Sequence, residues 1–114
     1  MNPAVIWDDP PRWKRSELIR RLRAKLKGRA ERALLFGSHA AGRATALSDV
    51  DLIVVRETAL PWPERGEPFA DMWQAFGAID LLVYTPGEWR VLLSRPTPFL
   101  REARKSWVEI LPGP

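Results

Sequence analysis

Asp49 and Asp51 stand two residues apart at the head of an aliphatic run, Leu52-Ile53-Val54-Val55. In an extended strand, residues two apart project from the same face. The two carboxylates therefore lie side by side, with Val50 turned the other way. Like charges that close are unfavourable unless something positive neutralises them. A hard divalent ion such as magnesium meets that need, taking carboxylate oxygens from the protein and the rest from water and substrate phosphate. Asp80 opens a second aliphatic run, Leu81-Leu82-Val83-Tyr84. If the two runs are neighbouring strands, the three carboxylates converge. Such a set can hold two ions a few Å apart, the arrangement used for in-line attack at a phosphate. Gly37-Ser38 follows a third apolar run, Arg32 to Phe36. Glycine permits unusual backbone angles and close approach of a phosphate, and the following amides and the Ser38 hydroxyl are suitable donors. Gly42 lets this segment turn back, and the guanidinium of Arg43 fits phosphate geometry.

Composition narrows what else the chain can be. It has 114 residues, 46% of them hydrophobic and 28% charged, the balance of one folded domain rather than a disordered segment. The expected organisation is a single domain over 1–114, with 1–12 as an irregular Pro-rich arm. Cysteine is absent and histidine occurs once, which excludes thiol catalysis, disulfides and Cys- or His-rich metal sites. Any metal must be held mainly by carboxylates, which again points to magnesium. The longest aliphatic stretch falls far short of the ~20 residues of a membrane helix, and no secretory signal is visible, so a cytoplasmic location is expected, with no membrane partner. The net charge of +4 is unevenly spread. Arg12 to Arg32 holds ten basic and two acidic side chains, a local balance of +8 that leaves −4 elsewhere. A basic segment of this kind suits phosphate, nucleic acid or an acidic partner, or is simply a solvated helix face.

Several elements must position these residues. Leu18, Ile19, Leu22 and Leu26 recur at helical spacing and predict an amphipathic basic helix over about 12–27. Asp9 before Pro10-Pro11, or alternatively Ser16, would cap it, and Gly28 would stop it. Strands are expected at 32–36, 48–56, 78–84 and 107–111. Short helices are expected at 39–44, 69–76, 88–94 and 98–106, and the proline-rich 58–68 reads as a loop. Mixed strands and helices imply an α/β or α+β sheet domain.

Taken singly, these features are weak. An Asp-X-Asp pair is more often a solvated strand edge than a metal site, and Gly-Ser after a strand is usually only a turn. The ordered set carries more weight: strand, Gly37-Ser38, a small-residue segment with Gly42, Ser48-Asp49-Val50-Asp51 leading an aliphatic strand, then the strand led by Asp80. This set resembles the minimal nucleotidyltransferases of the DNA polymerase β-like superfamily, over roughly residues 15–110. The resemblance implies an α/β, polymerase β palm-like nucleotidyltransferase fold, with helices packed on a small mixed sheet. It implies transfer of a nucleoside monophosphate, AMP from ATP foremost, to an acceptor hydroxyl with release of pyrophosphate. Two Mg²⁺ ions would be bound by Asp49, Asp51 and Asp80, with Asp80 at the ion that activates the acceptor and as a candidate for taking its proton. Gly37 and Ser38 would hold the β and γ phosphates, with Arg43 as a helper. Minimal members resemble the antitoxin half of two-gene systems whose partner is an all-helical HEPN protein, and that partner would supply the acceptor. The alternative is a catalytically weak module that neutralises the partner by binding it.

Two features depart from the family pattern. Many relatives carry Arg just after Gly-Ser and again before the loop glycine, where this chain has His39 and Ala41. The chain also lacks room for the extra helical module by which larger members grip the base or acceptor. Among the remaining residues, His39 could meet phosphate or be an exposed loop residue without a role. Ser48 reads as a turn or backbone hydrogen bond rather than a catalyst. Trp7, Trp13 and Trp62 lie in or beside proline-rich segments, where they could fill the core or serve as interface anchors. RNA binding by the basic helix is the weakest reading, because no aromatics interleave with the charges.

Overall fold

In the computed structural model, which describes residues 9–113, aliphatic alternation drives the architecture. Strand β1 (Arg32–Phe36) sends Ala33 and Leu35 to one face and Leu34 to the other, while β2 (Val50–Val55) sends Val50, Leu52 and Val54 to the first face and Ile53 and Val55 to the second. Each strand is apolar on both faces and so must be covered on both, which explains runs too continuous for an edge hairpin. Strand β3 (Ile79–Tyr84) pairs parallel with β2, and β4 (Val108–Leu111) pairs antiparallel with β1. With β1 and β2 antiparallel, the sheet is mixed and ordered β3-β2-β1-β4. The chain is of the α/β class, a four-stranded mixed sheet with helices packed on it.

Two helices cover the first face. Helix α1 (Arg15–Leu26) buries Leu18, Leu22 and Leu26 completely, and α3 (Ala70–Phe76) adds Met72 and Phe76. Removing each of those leucines from water contributes about 2 kcal/mol to folding. Helix α1 starts later than its periodicity suggests, and neither Asp9 nor Ser16 caps it. Lys14 occupies the N-cap with no side-chain bond, and Trp13 lies outside the helix against Phe76, ring centroids 6.0 Å apart. Gly28, at φ +79°, turns the chain after the helix as expected.

On the second face lie α4 (Pro86–Ser94) and α5 (Pro98–Arg104), which pack Trp89 and Leu100 on Leu34, Ile53 and Val55. Both begin with a capping threonine followed by proline. Thr85 and Glu88 form a reciprocal capping box, and Thr97 accepts from the Leu100 amide at 3.2 Å. The 58–68 segment is more ordered than a loop, with short 3₁₀ turns at Trp62–Glu64 and Glu67–Phe69. No helix among the described residues is long and apolar enough to cross a membrane. Trp7 and most of the proposed arm lie outside the described residues.

The basic helix spends much of its charge inside the fold. Arg15 donates to the Ala40 carbonyl and Arg23 to the Ile110 carbonyl, at 3.1 and 3.0 Å. Beyond the helix end, Arg29 forks onto both oxygens of Asp71 at 2.8 Å, and Lys25 lies 3.7 Å from the same carboxylate.

Candidate functional site

The second face of the sheet is open at one end, where β1 finishes and β2 and β3 begin. Pairing of β1 with β2 sets Phe36 opposite Asp51, and pairing of β2 with β3 sets Asp80 opposite Asp51 on its other side. Alternation puts the Asp51 and Asp80 side chains on the face that carries α4 and α5. Asp49 precedes β2 by one residue and is exposed, as is Asp80, while Asp51 is half-buried between them. The pairing of Asp51 with Asp80 depends on a parallel register formed across 28 intervening residues, with Asp49 two positions before Asp51 in the chain.

The electrostatics follow from this placement. Asp51 is pushed up to about 6, first by burial, then by the charges of Asp80 and Asp49 and by a hydrogen bond with Asp80. Among the described residues, no salt bridge includes Asp49, Asp51 or Asp80, although basic side chains outnumber acidic ones, 18 to 14, in the whole sequence. Among the described residues, no group of three or more His, Asp or Glu side chains is placed so that it could hold a metal ion. The donor chemistry nevertheless suits a hard cation: carboxylates only, mutually repelling, half-solvated and without an internal counter-charge.

Gly37 is fitted to this arrangement. Its φ is +76°, a left-handed conformation that other residues rarely adopt. A Cβ built there would also collide with the Asp51 carboxylate, overlapping Oδ2 and lying 3.1 Å from Cγ. Position 37 is thus a cradle for that carboxylate as much as a turn. The expected tight loop at Gly37-Ser38 is instead the first turn of α2 (Gly37–Ala41), which begins two residues earlier than the small-residue composition suggests. The reason is conformational. Phe36 stays extended and the positive φ of Gly37 swings the chain directly from strand into helix, while Gly42, at φ +74°, ends it. The Arg43 amide donates to the Ser38 carbonyl at 2.9 Å, which brings Arg43 back beside Gly37 and Ser38.

His39 is not an exposed bystander. It is buried, its basicity is lowered by that burial, and it bonds to the backbone of Ser48. Ser48 in turn accepts from the Thr45 amide at 2.9 Å, as a turn residue should. These two bonds tie α2 to the segment that delivers Asp49. Asp49 also borders a cavity of about 320 Å³, lined further by Trp13, His39 and Ser48. A second cavity, of about 280 Å³, lies between Gly37, Ser38 and Arg43 on one side and α5 on the other. The contribution of α5, through Phe99 and Glu102, and of Ser106 just beyond it was not legible in the sequence past a helical pattern. The cap at Thr97 and the packing of Leu100 together aim Phe99 at the cavity, and that is a tertiary fact.

No curated protein matches the chain by sequence. A solved structure from Sulfolobus solfataricus, assigned provisionally as a nucleotidyltransferase, superimposes with a TM-score of 0.46 at 24% identity, over 84% of this chain and 76% of its own. Residues 15–65, which run from α1 past β2 and include Gly37, Ser38, Asp49 and Asp51, match the family model of the nucleotidyltransferase domain.

Proposed function

We propose that this protein is a divalent-cation-dependent nucleotidyltransferase. One observation carries the reading: at one end of the sheet Asp51 stands opposite Asp80 and feels the charge of Asp49, with no salt bridge to any of the three among the described residues, and Gly37 leaves the room that the Asp51 carboxylate occupies. Asp49 and Asp51 would bind both Mg²⁺ ions, and Asp80 would bind the one nearer the acceptor. The cations would lower the pKa of the attacking hydroxyl and offset the charge that develops on the transferring phosphoryl group. The chain's own residues would do the rest. Ser38 and the backbone at Gly37 hold the terminal phosphates, with Arg43 as the accompanying guanidinium. Asp80, exposed at the head of β3, takes the proton of the acceptor hydroxyl. The acceptor oxygen forms a bond to the α-phosphorus, the α–β phosphoanhydride bond breaks, and pyrophosphate leaves.

ATP as donor and a helical HEPN partner as acceptor extend this proposal on the strength of the family resemblance. The chain would then act as an antitoxin that modifies its partner. A binding-only role is the second reading, and one observation favours it. With His39 buried and Ala41 in place of an arginine, Arg43 is the one basic side chain bordering the cavity beside Gly37 and Ser38. Magnesium-dependent transfer of label from α-labelled ATP, with and without the partner, separates the two. Label on the partner that disappears with Asp49→Asn supports the enzyme. A stable, unlabelled complex with any of the four nucleotides supports binding alone.

A further inference from the structure

Phe99 is 42% exposed, while its neighbour Leu100 is fully buried in the second core. An aromatic ring at the surface is unremarkable by itself. Here, however, it borders the 280 Å³ cavity whose opposite side is Gly37, Ser38 and Arg43. Its ring packs edge-to-face on Phe36, centroids 5.3 Å apart and planes at 83°, and Phe36 faces Asp51 across the β1–β2 ladder. The ring is also held in place, because Thr97 caps α5 and Pro98 occupies its first turn. The cavity therefore has a polar, phosphate-compatible side and an aromatic side, adjoining the carboxylates through one residue. At about 280 Å³ it is smaller than a typical ligand pocket of about 300–1,000 Å³, so it would take part of a nucleotide rather than the whole.

We propose that Phe99, steadied by Phe36, is the platform on which the nucleobase of the donor nucleotide stacks. This rests on the nucleotidyltransferase reading and adds to it a base-holding device within the chain itself, on α5. Every base presents a π-face, so such a platform holds the base without choosing among bases by hydrogen bonds.

The test compares Mg²⁺-dependent binding of two probes to the full chain: a non-transferable α,β-methylene analogue of ATP, and inorganic tripolyphosphate. Wild-type protein should bind the nucleotide more tightly than tripolyphosphate. Phe99→Leu, which keeps an apolar contact with Phe36, should weaken the nucleotide roughly tenfold and leave tripolyphosphate unchanged. Phe99→Trp should retain nucleotide binding, and melting curves of both variants establish that they fold. Wild-type-like nucleotide binding by Phe99→Leu overturns the platform, as does equal loss of both probes. Equal affinity of wild-type protein for the two probes also overturns it while leaving the phosphate site intact. Failure of wild-type protein to bind either probe removes the nucleotidyltransferase reading, and the platform with it.

Discussion

Asp71 and Asp51 are the same residue in opposite circumstances. Asp71, on α3, accepts both arms of the Arg29 guanidinium, with Lys25 close by, and its carboxyl is held below the ordinary range, chiefly by the Arg29 hydrogen bonds. Asp51 has Asp80 and Asp49 for neighbours and is pushed up to about 6 by burial and those charges. One site supplies its own counter-ions and is finished when the chain folds. The other brings carboxylates together, and no salt bridge among the described residues includes any of them. Two aspartates of one chain are thus set apart by their neighbours rather than by their type.

Substitutions should break or sharpen that contrast. The largest effect is expected for Asp49→Asn and Asp51→Asn, each of which should reduce nucleotidyl transfer by about 10³-fold or more, read as labelled product under single-turnover conditions. Asp71→Asn should leave transfer unchanged in the same assay. Gly37→Ala should destabilise the protein by about 1–3 kcal/mol in chemical denaturation, because it forces a non-glycine residue to a positive φ and drives a Cβ into the Asp51 carboxylate. It should weaken transfer as well, since the displaced carboxylate belongs to the site.

The pH dependences should run in opposite directions. The raised value for Asp51 means that the metal-free native state holds a proton that the unfolded chain has lost. Its contribution is complete below about 3.8 and disappears as pH rises through about 6. Melting temperatures in chelator should therefore fall over that interval relative to Asp51→Asn, and magnesium should abolish the difference. Asp71 behaves oppositely: its contribution is present at neutral pH and is lost on acidification through its lowered value. At pH 8 without metal, Asp51→Asn should hold or raise the melting temperature. Asp71→Asn should lower stability by at most about 1 kcal/mol, the smallest of these effects, because the pair is open to solvent.

What the sequence revealed follows the range of the interactions involved. Asp49 and Asp51 were legible because strand alternation is local and the aliphatic run after them is unambiguous. Helix α4 was legible as an element after Pro86, but it starts two residues before the expected Glu88, because Thr85 caps it and Pro86 fits its first turn. The partnership of Asp51 with Asp80 was conditional on β2 and β3 being neighbours, a pairing that depends on the whole crossover through α3. His39 was misjudged for the same kind of reason: its burial is created by packing that no neighbouring residue announces. The early start of α2 was hidden in Gly37, whose positive φ would ordinarily mark a turn or the end of a helix rather than its beginning.

The sheet order has a consequence for the making of the protein. Strand β1 is internal to the sheet, yet one of its neighbours, β4, lies more than 70 residues later in the chain. Until Val108–Leu111 emerge, the row of backbone donors and acceptors along Leu34 and Leu35 has nothing to pair with, and a bare apolar strand edge is a template for another copy of itself. Chains truncated before Val108 should therefore be recovered as aggregates, even though every aspartate of the site lies upstream of the cut.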